Sequence, residues 1–393
     1  MALGALIGAY QEGDAGLRAL LPLAGRTLIE YQARCAAAAG ASPIVVLVER
    51  VPANLNDAFE RLREEGIAVI AVSDGVEAAT RFEAGELILM IGDGVAAPVE
   101  LLGRLAEEPG PAIATVPDDA EHESFERIDA SSRWAGVAIV DAPTLGSTAA
   151  MLGDWDLQST LLRRVLQAGA SQVPTGEALE PLQAWGNDDL AGFERKLIVA
   201  SRGTRRDWAS RYVLPIVEDL ATERLIESRI RPEWLVRAAL GLTVVAAFAF
   251  TRGWLWPALA MLVVSTPLDL VGRRIAVLRL RPLETRMLSR RLLWPAAGLA
   301  LLALGWWVSR HGGGWGAFLA AFTAVAFAEA GREERGSAEM PYQAWLFSRR
   351  NAILGAIPFA AAGAWTLYLV ALAVYAGASF FTVQHVRHRL RAD

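Results

Sequence analysis

From Pro232 onward the chain is a series of apolar runs broken by arginine-rich segments, and no other feature limits its fold so strongly. In lipid the backbone must satisfy its own hydrogen bonds, so such runs become helices, and a full crossing takes about 20 residues. The runs predict six helices, near Leu235–Phe250, Leu255–Leu270, Leu292–Val308, Ala317–Ala330, Ala352–Gly363 and Trp365–Val383. Several are short and borrow their flanks. The Gly272–Arg291 loop carries Arg273, Arg274, Arg279, Arg281, Arg286, Arg290 and Arg291, and Arg387, Arg389 and Arg391 follow the last run. Arginine-rich loops stay on the cytoplasmic side. That rule places these segments, the Gly331–Arg350 loop and the N-terminal domain on the cytoplasmic side of a bacterial-type inner (cell) membrane that the chain crosses several times. Trp254, Trp256, Trp306, Trp307 and Trp315 fall near the opposite helix ends, where an interfacial belt sits.

Before Glu227 the pattern is different. Strand-like runs at Ala2–Gly8, Pro43–Val48, Ile67–Val72, Glu86–Ile91, Ala112–Val116 and Trp134–Val140 alternate with helical patterns. The helices are expected at Thr27–Gly40, Ala53–Glu65, Pro98–Glu107, Asp156–Ala168 and Asp188–Arg202. This alternation predicts an α/β, Rossmann-like domain with a mostly parallel sheet. The apolar start, Met1–Ile7, is too short for a signal peptide and reads as the first strand. Arg205–Arg231 reads as an amphipathic helix at the membrane surface or as a plain interdomain helix. The net charge of −5 and the lack of a long basic run in this half argue against nucleic acid as a partner. The one cysteine, Cys35, excludes a disulfide framework and reads as a buried small residue. The one lysine, Lys196, is followed by Leu197, which excludes a P-loop.

In parallel sheets of this kind ligands sit at the carboxyl ends of the strands. Two such ends stand out. The loop after the first strand carries Gly8, Gly13 and Gly16, and glycines there let backbone N–H groups approach phosphate. An ordinary polar turn fits equally well. Gly92-Asp93-Gly94 follows an apolar strand, where an aspartate can hold Mg2+ beside a nucleotide phosphate. A turn aspartate with flanking glycines fits that pattern too. Glu126–Gly136 reads as a pocket wall with Arg127 and Arg133 or as a surface hairpin with salt bridges.

Leu20-Leu21-Pro22-Leu23-Ala24-Gly25, the later Ile44–Val48 strand and Gly92-Asp93 resemble sugar-phosphate and polyol-phosphate nucleotidyltransferases over about the first half of the chain. The resemblance implies that Asp93 binds the catalytic metal, Mg2+, and that Arg18 contacts the triphosphate. Gly8, Gly13 and Gly16 would be the nucleotide-binding glycines. The family's Gly-x-Gly-x-Arg loop is not kept. Its second metal-binding acid falls near Trp185 or Gly186, ahead of Asp188-Asp189.

The membrane half resembles CDP-alcohol phosphatidyltransferases through Arg211-Tyr212, Ile230–Trp234, Leu268-Asp269 and Phe347–Asn351. The domain order resembles the bifunctional inositol-phosphate cytidylyltransferase type, which implies domains at 1–203 and 233–393 with a juxtamembrane helix at 204–232. That family carries D-x-x-D-G-x-x-A-R, then G-x-x-x-D-x-x-x-D. Asp269 and Ala276 stand at matching positions, whereas Gly272, Arg273, Val277, Arg286, Arg290 and Trp294 replace the other signature residues. The resemblance implies a kept fold without phosphatidyltransferase chemistry. An anion site of Asp269, Arg273, Arg274 and Arg286 for a lipid phosphate or anionic headgroup is expected in its place. The whole then implies a membrane-tethered nucleotidyltransferase of phospholipid or polar-headgroup biosynthesis, using a nucleoside triphosphate (CTP favoured) and a phosphorylated alcohol, as a homodimer. A catalytically degenerate scaffold or anionic-lipid-binding protein retaining both folds is the alternative.

Overall fold

The computed structural model describes residues 2–13, 16–152, 156–175, 180–201, 207–226, 228, 230–280, 288–335 and 342–392. The chain divides into two compact units. The first comprises Met1–Ser201 and Leu278–Leu280, the second Arg202–Val277 and Arg281–Asp393.

In the first unit, aliphatic runs bounded by turn residues form the strands. They are β1 (Leu3–Gly8), β2 (Ile44–Leu47), β3 (Val69–Val72), β4 (Leu87–Ile91), β5 (Ala112–Pro117), β6 (Ser132–Asp141) and β7 (Ser171–Pro174). The helices are α1 (Leu28–Ala38), α2 (Ala53–Glu64), α3 (Gly75–Ala79), α4 (Val99–Ala106), α5 (Ala142–Leu152), α6 (Leu157–Gln167) and α7 (Asn187–Ala200). The strands form one sheet in the order β7-β5-β6-β4-β1-β2-β3. β6 runs antiparallel to β4 and β5, and the other pairings are parallel. The expected mostly parallel sheet is therefore present. Leu6, Ile88, Met90 and Ala138 are fully buried, as strands covered on both faces require. The chain winds from β1 outward through β2 and β3, then crosses back to β4 on the other side of β1. This reversal is a topological switch point, where the strand ends splay and leave a crevice.

Three elements lie outside the sequence expectation: α3, α5 and β7. α5 carries Pro143, Gly146 and Thr148, poor helix formers, and is held by burial of Leu145 and Ala149 rather than by propensity. Its neighbour, Gly153–Trp155, lies outside the described residues.

In the second unit, α8 (Pro215–Ile226) exposes Ile216, Val217 and Leu220. The helices that follow are α9 (Pro232–Thr251), α10 (Leu255–Leu278), α11 (Leu288–Val308), α12 (Gly314–Arg335), α13 (Arg349–Ala361) and α14 (Trp365–Ala392). Four stretches among the described residues are long and apolar enough to cross a membrane: Pro232–Thr251, Leu255–Leu278, Leu288–Arg335 and Trp365–Arg389. Six crossings are expected from sequence. The third stretch, 48 residues long, is broken at His311 and Gly312, where the backbone leaves helical angles and separates α11 from α12. α13 has 13 residues, below the length of a crossing.

α10 is longer than expected, so Arg273 and Arg274 lie on a helix and not in a loop. With no Pro or Gly between them and Leu278, the helix continues through the arginines. The turn at Gly253 meets Trp307, and Asp269 near the end of α10 meets Arg350 at the start of α13. The exposed Trp254, Trp256 and Trp315 thus share one end of the helices, and the ion pairs occupy the other.

Candidate functional site

Asp93 lies just past the carboxyl end of β4, beside the end of β1, at the switch point. Gly8 makes this approach feasible, because a Cβ there would stand 3.2 Å from the Asp93 backbone nitrogen and 2.6 Å from Gln158 Nε2. Gln158 Oε1 accepts the Asp93 backbone N–H at 3.3 Å, while its Nε2 donates to Ile91 O at 3.2 Å. The Asp93 side chain is buried. Its Oδ2 accepts the backbone N–H groups of Tyr10 at 2.6 Å and Gln11 at 2.8 Å. Its Oδ1 is buried and has no hydrogen-bond partner among the described residues. Burial pushes the Asp93 carboxyl above the usual carboxylate range, against the pull of those two N–H donors and of Arg18.

A polar cavity of about 220 Å³ opens there, lined by Asp93, Glu126, Asp156, Gln158 and Gln183 among others. A wider cleft of about 710 Å³ lies at the ends of β2 and β3, lined by Tyr10, Val48, Ser73, Asp74 and Asp156. Asp156 borders both. It caps α6 by accepting the Gln158 N–H at 3.0 Å and also accepts the Tyr10 hydroxyl at 3.1 Å. Burial first, then the Asp156 charge, holds the Tyr10 phenol well above its ordinary pKa, so it stays a donor.

Arg18 lines neither cavity. It is fully buried, donating from Nε to Ala184 O at 2.7 Å and from Nη1 to Gln11 Oε1 at 2.5 Å. Its guanidinium stacks on Trp185 at 4.2 Å and packs over Gly94, filling the space a side chain would need, and the positive φ of Gly94 favours glycine as well. Arg18 thus braces Gln11, whose N–H in turn holds Asp93. Gly13 and Gly16 belong to a small hairpin, Glu12–Gly13 with Gly16–Leu17. They line neither cavity.

Other sequence candidates resolve as follows. Arg127 and Arg133 both pair with Asp118 at 2.6 Å, so the salt-bridged hairpin is formed, while Glu126 and Trp134 of that segment line the polar cavity. Asp189 accepts the backbone N–H groups of Trp185 and Gly186 at 2.8 and 3.0 Å, which caps α7. Cys35 is buried, and burial pushes its thiol up to about 12, as befits an inert thiol. The sequence missed Tyr10, Asp156 and Gln158 as site residues. Asp156 starts a run expected as a helix, and its capping of α6 gives by itself no sign of the cavity.

In the second unit Asp269 is 1% exposed and surrounded by guanidinium groups. It pairs with Arg273 at 3.0 Å, Arg350 at 2.8 Å and Arg349 at 3.6 Å. Arg350 also binds Asp207 at 3.0 Å. Arg274 is directed elsewhere, to Asp219 at 2.6 Å and Glu218 at 3.6 Å. Arg286 lies outside the described residues. Of the residues expected at an anion site, Asp269 and Arg273 come together in an ion-pair cluster that Arg349, Arg350 and Asp207 join.

Asp93→Asn is expected to stabilise the first unit by on the order of 1 kcal/mol in the absence of divalent metal. The amide oxygen keeps both backbone bonds and the buried charge is removed. Urea denaturation of the full chain in EDTA checks it, and a loss of stability would show that the carboxylate is well solvated.

No family model matches the chain, and no curated protein matches it. Among solved structures, a putative glucose-1-phosphate thymidylyltransferase from Bacillus anthracis, in complex with a sucrose, is similar over 49% of this chain and 94% of its own. The identity is 12% and the TM-score 0.40. A likeness that distant carries no argument about activity.

Proposed function

We propose that this chain is a membrane-tethered nucleotidyltransferase that activates a phosphorylated alcohol with a nucleoside triphosphate, CTP favoured, for polar-headgroup assembly. The observation that carries the proposal is Asp93: a buried carboxylate at the switch point, bordering a polar cavity, with Oδ1 lacking a partner among the described residues. The donor set fits Mg2+, which takes one or two carboxylates and leaves its other positions to phosphate and water. Asp93 would hold it, with Asp156 across the same cavity. When bound, the ion neutralises phosphate charge.

The chain's own groups divide the remaining work. The wider cleft takes the nucleotide and the 220 Å³ cavity the alcohol phosphate. A phosphate oxygen of the alcohol attacks the α-phosphorus, the α–β bridge breaks, and pyrophosphate leaves. Tyr10 and Gln11 fix the orientation of Asp93 from one side and Gln158 from the other. Arg18 positions Gln11 and does not touch the nucleotide. The four apolar stretches and the exposed apolar face of α8 supply the tether, with the arginine-bearing helix ends on the cytoplasmic side.

The test is calorimetric titration of CTP, with ATP, GTP and UTP beside it, into the full chain in detergent with and without Mg2+. Metal-dependent CTP binding that disappears in the folded Asp93→Asn variant is the expected result. Absence of binding by all four nucleotides overturns the proposal. A second reading, a catalytically degenerate scaffold, has two observations in its favour. The loop amides that would meet a phosphate are engaged by Asp93 itself, and Arg18 is sealed under Trp185.

A further inference from the structure

Two arginines open α13, directly after Ser348, whose hydroxyl accepts the Asn351 N–H at 3.1 Å. Cations in the first turn oppose the helix dipole, so this helix start favours an anion. Arg350 has carboxylate partners in Asp207 and Asp269. Arg349 does not share equally. It is 9% exposed, stands 3.6 Å from Asp269, and neither Nη1 nor Nη2 has a hydrogen-bond partner among the described residues. Around this point Arg273, Arg349 and Arg350 face two carboxylates, and Arg290 adds positive charge near Arg273. Arg273 is half-exposed, so the buried cation without a hydrogen-bonded carboxylate among the described residues is Arg349, and such a cation inside apolar helices is costly unless something pairs with it.

Among the described residues Arg349 is also the one charged group lining an apolar slot between the helices, whose walls include Leu259, Trp294, Leu301, Ile353 and Trp365. The slot is a seam rather than a chamber. About 700 Å³ of unfilled space, counted to its open mouth, contains only about 70 Å³ of water-sized cavity. Ala352, Ile353 and Ala356 follow Arg349 along one face of α13, so the seam runs about 10 Å from the guanidinium on that side. On α11 it reaches from Trp294 to Leu304, about 15 Å. The other polar tips in the wall are engaged: Trp294 Nε1 donates to Glu329 at 2.5 Å and the Tyr368 hydroxyl to Ala352 O at 3.1 Å. Glu329 is held in turn by Arg332 at 3.3 Å. An apolar seam offers water too few partners to satisfy Arg349.

We propose that the slot binds a single-chain anionic amphiphile, its phosphate or carboxylate head on Arg349 and its chain along α13. The seam admits one chain, and the guanidinium fork matches either head. The proposal is independent of the nucleotide reading of the first unit.

Trp294 and Trp365 in the wall give the readout, because a brominated acyl chain quenches tryptophan on contact, and the same titration of Trp365→Phe subtracts the quenching of the exposed tryptophans. The full protein in phosphatidylcholine nanodiscs is titrated with brominated lysophosphatidic acid, a brominated fatty acid and neutral brominated monoacylglycerol. Glycerol phosphate, the head without the chain, is the competitor. Both anionic chains are expected to quench saturably, the neutral chain to bind weakly, and glycerol phosphate not to compete. Arg349→Gln weakens both anions about 10- to 100-fold, the loss of charged hydrogen bonds, and Arg349→Lys recovers part of it. Ala356→Leu, which narrows the seam and leaves the charge, weakens them as well. Either ranking of the two anions supports the proposal and identifies the head. Equal binding of the neutral chain, or unchanged binding in Arg349→Gln, overturns it. Should Arg349→Gln fail to fold, unchanged binding in Ala356→Leu overturns it instead.

Discussion

Asp269→Ala lowers the stability of the helical unit by about 3–5 kcal/mol, the cost of breaking a buried ion pair from one side. The carboxylate is the shared counterion of Arg273, Arg349 and Arg350, and Asp207 alone would remain against them. At 1% exposure the position leaves water little room to take its place. The position also joins α10 to α13, so the loss is of packing as well as charge. Asp269→Asn keeps an acceptor without the charge and falls between the two. Arg273 is 43% exposed, and Arg273→Ala costs about 1 kcal/mol or less, as for a solvated pair. Denaturation of the full protein in detergent, followed by tryptophan fluorescence, measures all three. Equal small losses for Asp269→Ala and Arg273→Ala would mean that the cluster is hydrated.

The same cluster marks the limit of what the sequence discloses. Asp269 and Arg273 are four residues apart on one helix, and their pairing follows from helical spacing alone. Asp207, Arg349 and Arg350 come from segments distant in the chain, and no local pattern predicts that they meet. Arg274 shows the converse: adjacent to Arg273 in sequence, it points about 100° away on the helix and finds Glu218 and Asp219. In the first unit the strands were legible because buried parallel strands are continuous aliphatic runs. Asp93 was legible because a glycine-flanked acid ends such a run. Tyr10, Asp156 and Gln158 were not, since each carries an ordinary local role and becomes part of a site only when the sheet brings β1, β4 and α6 together.

Glu30→Ala is the counterpart in the first unit, with an expected loss of about 3 kcal/mol. Glu30 is fully buried and is a hub. It accepts Arg61 Nε and Nη2 at 3.0 and 2.9 Å, the Thr27 N–H at 3.0 Å and hydroxyl at 2.8 Å, and lies 3.4 Å from Arg34. The loss stays at the lower end of the buried-pair range because Arg61 is 37% exposed and rehydrates, and Arg34 keeps Glu65 at 2.9 Å. Burial would raise the Glu30 carboxyl, but the bonds from Arg61 and Thr27 and the charge of Arg34 outweigh it and hold it below 4.5, its ordinary value. A lowered folded value means that the stabilisation is fully present above the ordinary pKa and is lost as pH falls through the folded one. The wild-type advantage over Glu30→Gln is therefore constant near neutrality and shrinks only below the ordinary value. Urea denaturation of both full chains across that range measures it, and an advantage that persists in acid would mean that Glu30 contributes shape rather than charge. The hub also bears on the site, since Glu30 holds the first turn of α1 and Gln32 of α1 donates to Gly92 O at 3.2 Å and Val95 O at 2.7 Å. Loosening the start of α1 slackens the turn that carries Asp93, so Glu30→Ala is expected to weaken the proposed nucleotide binding without touching either cavity.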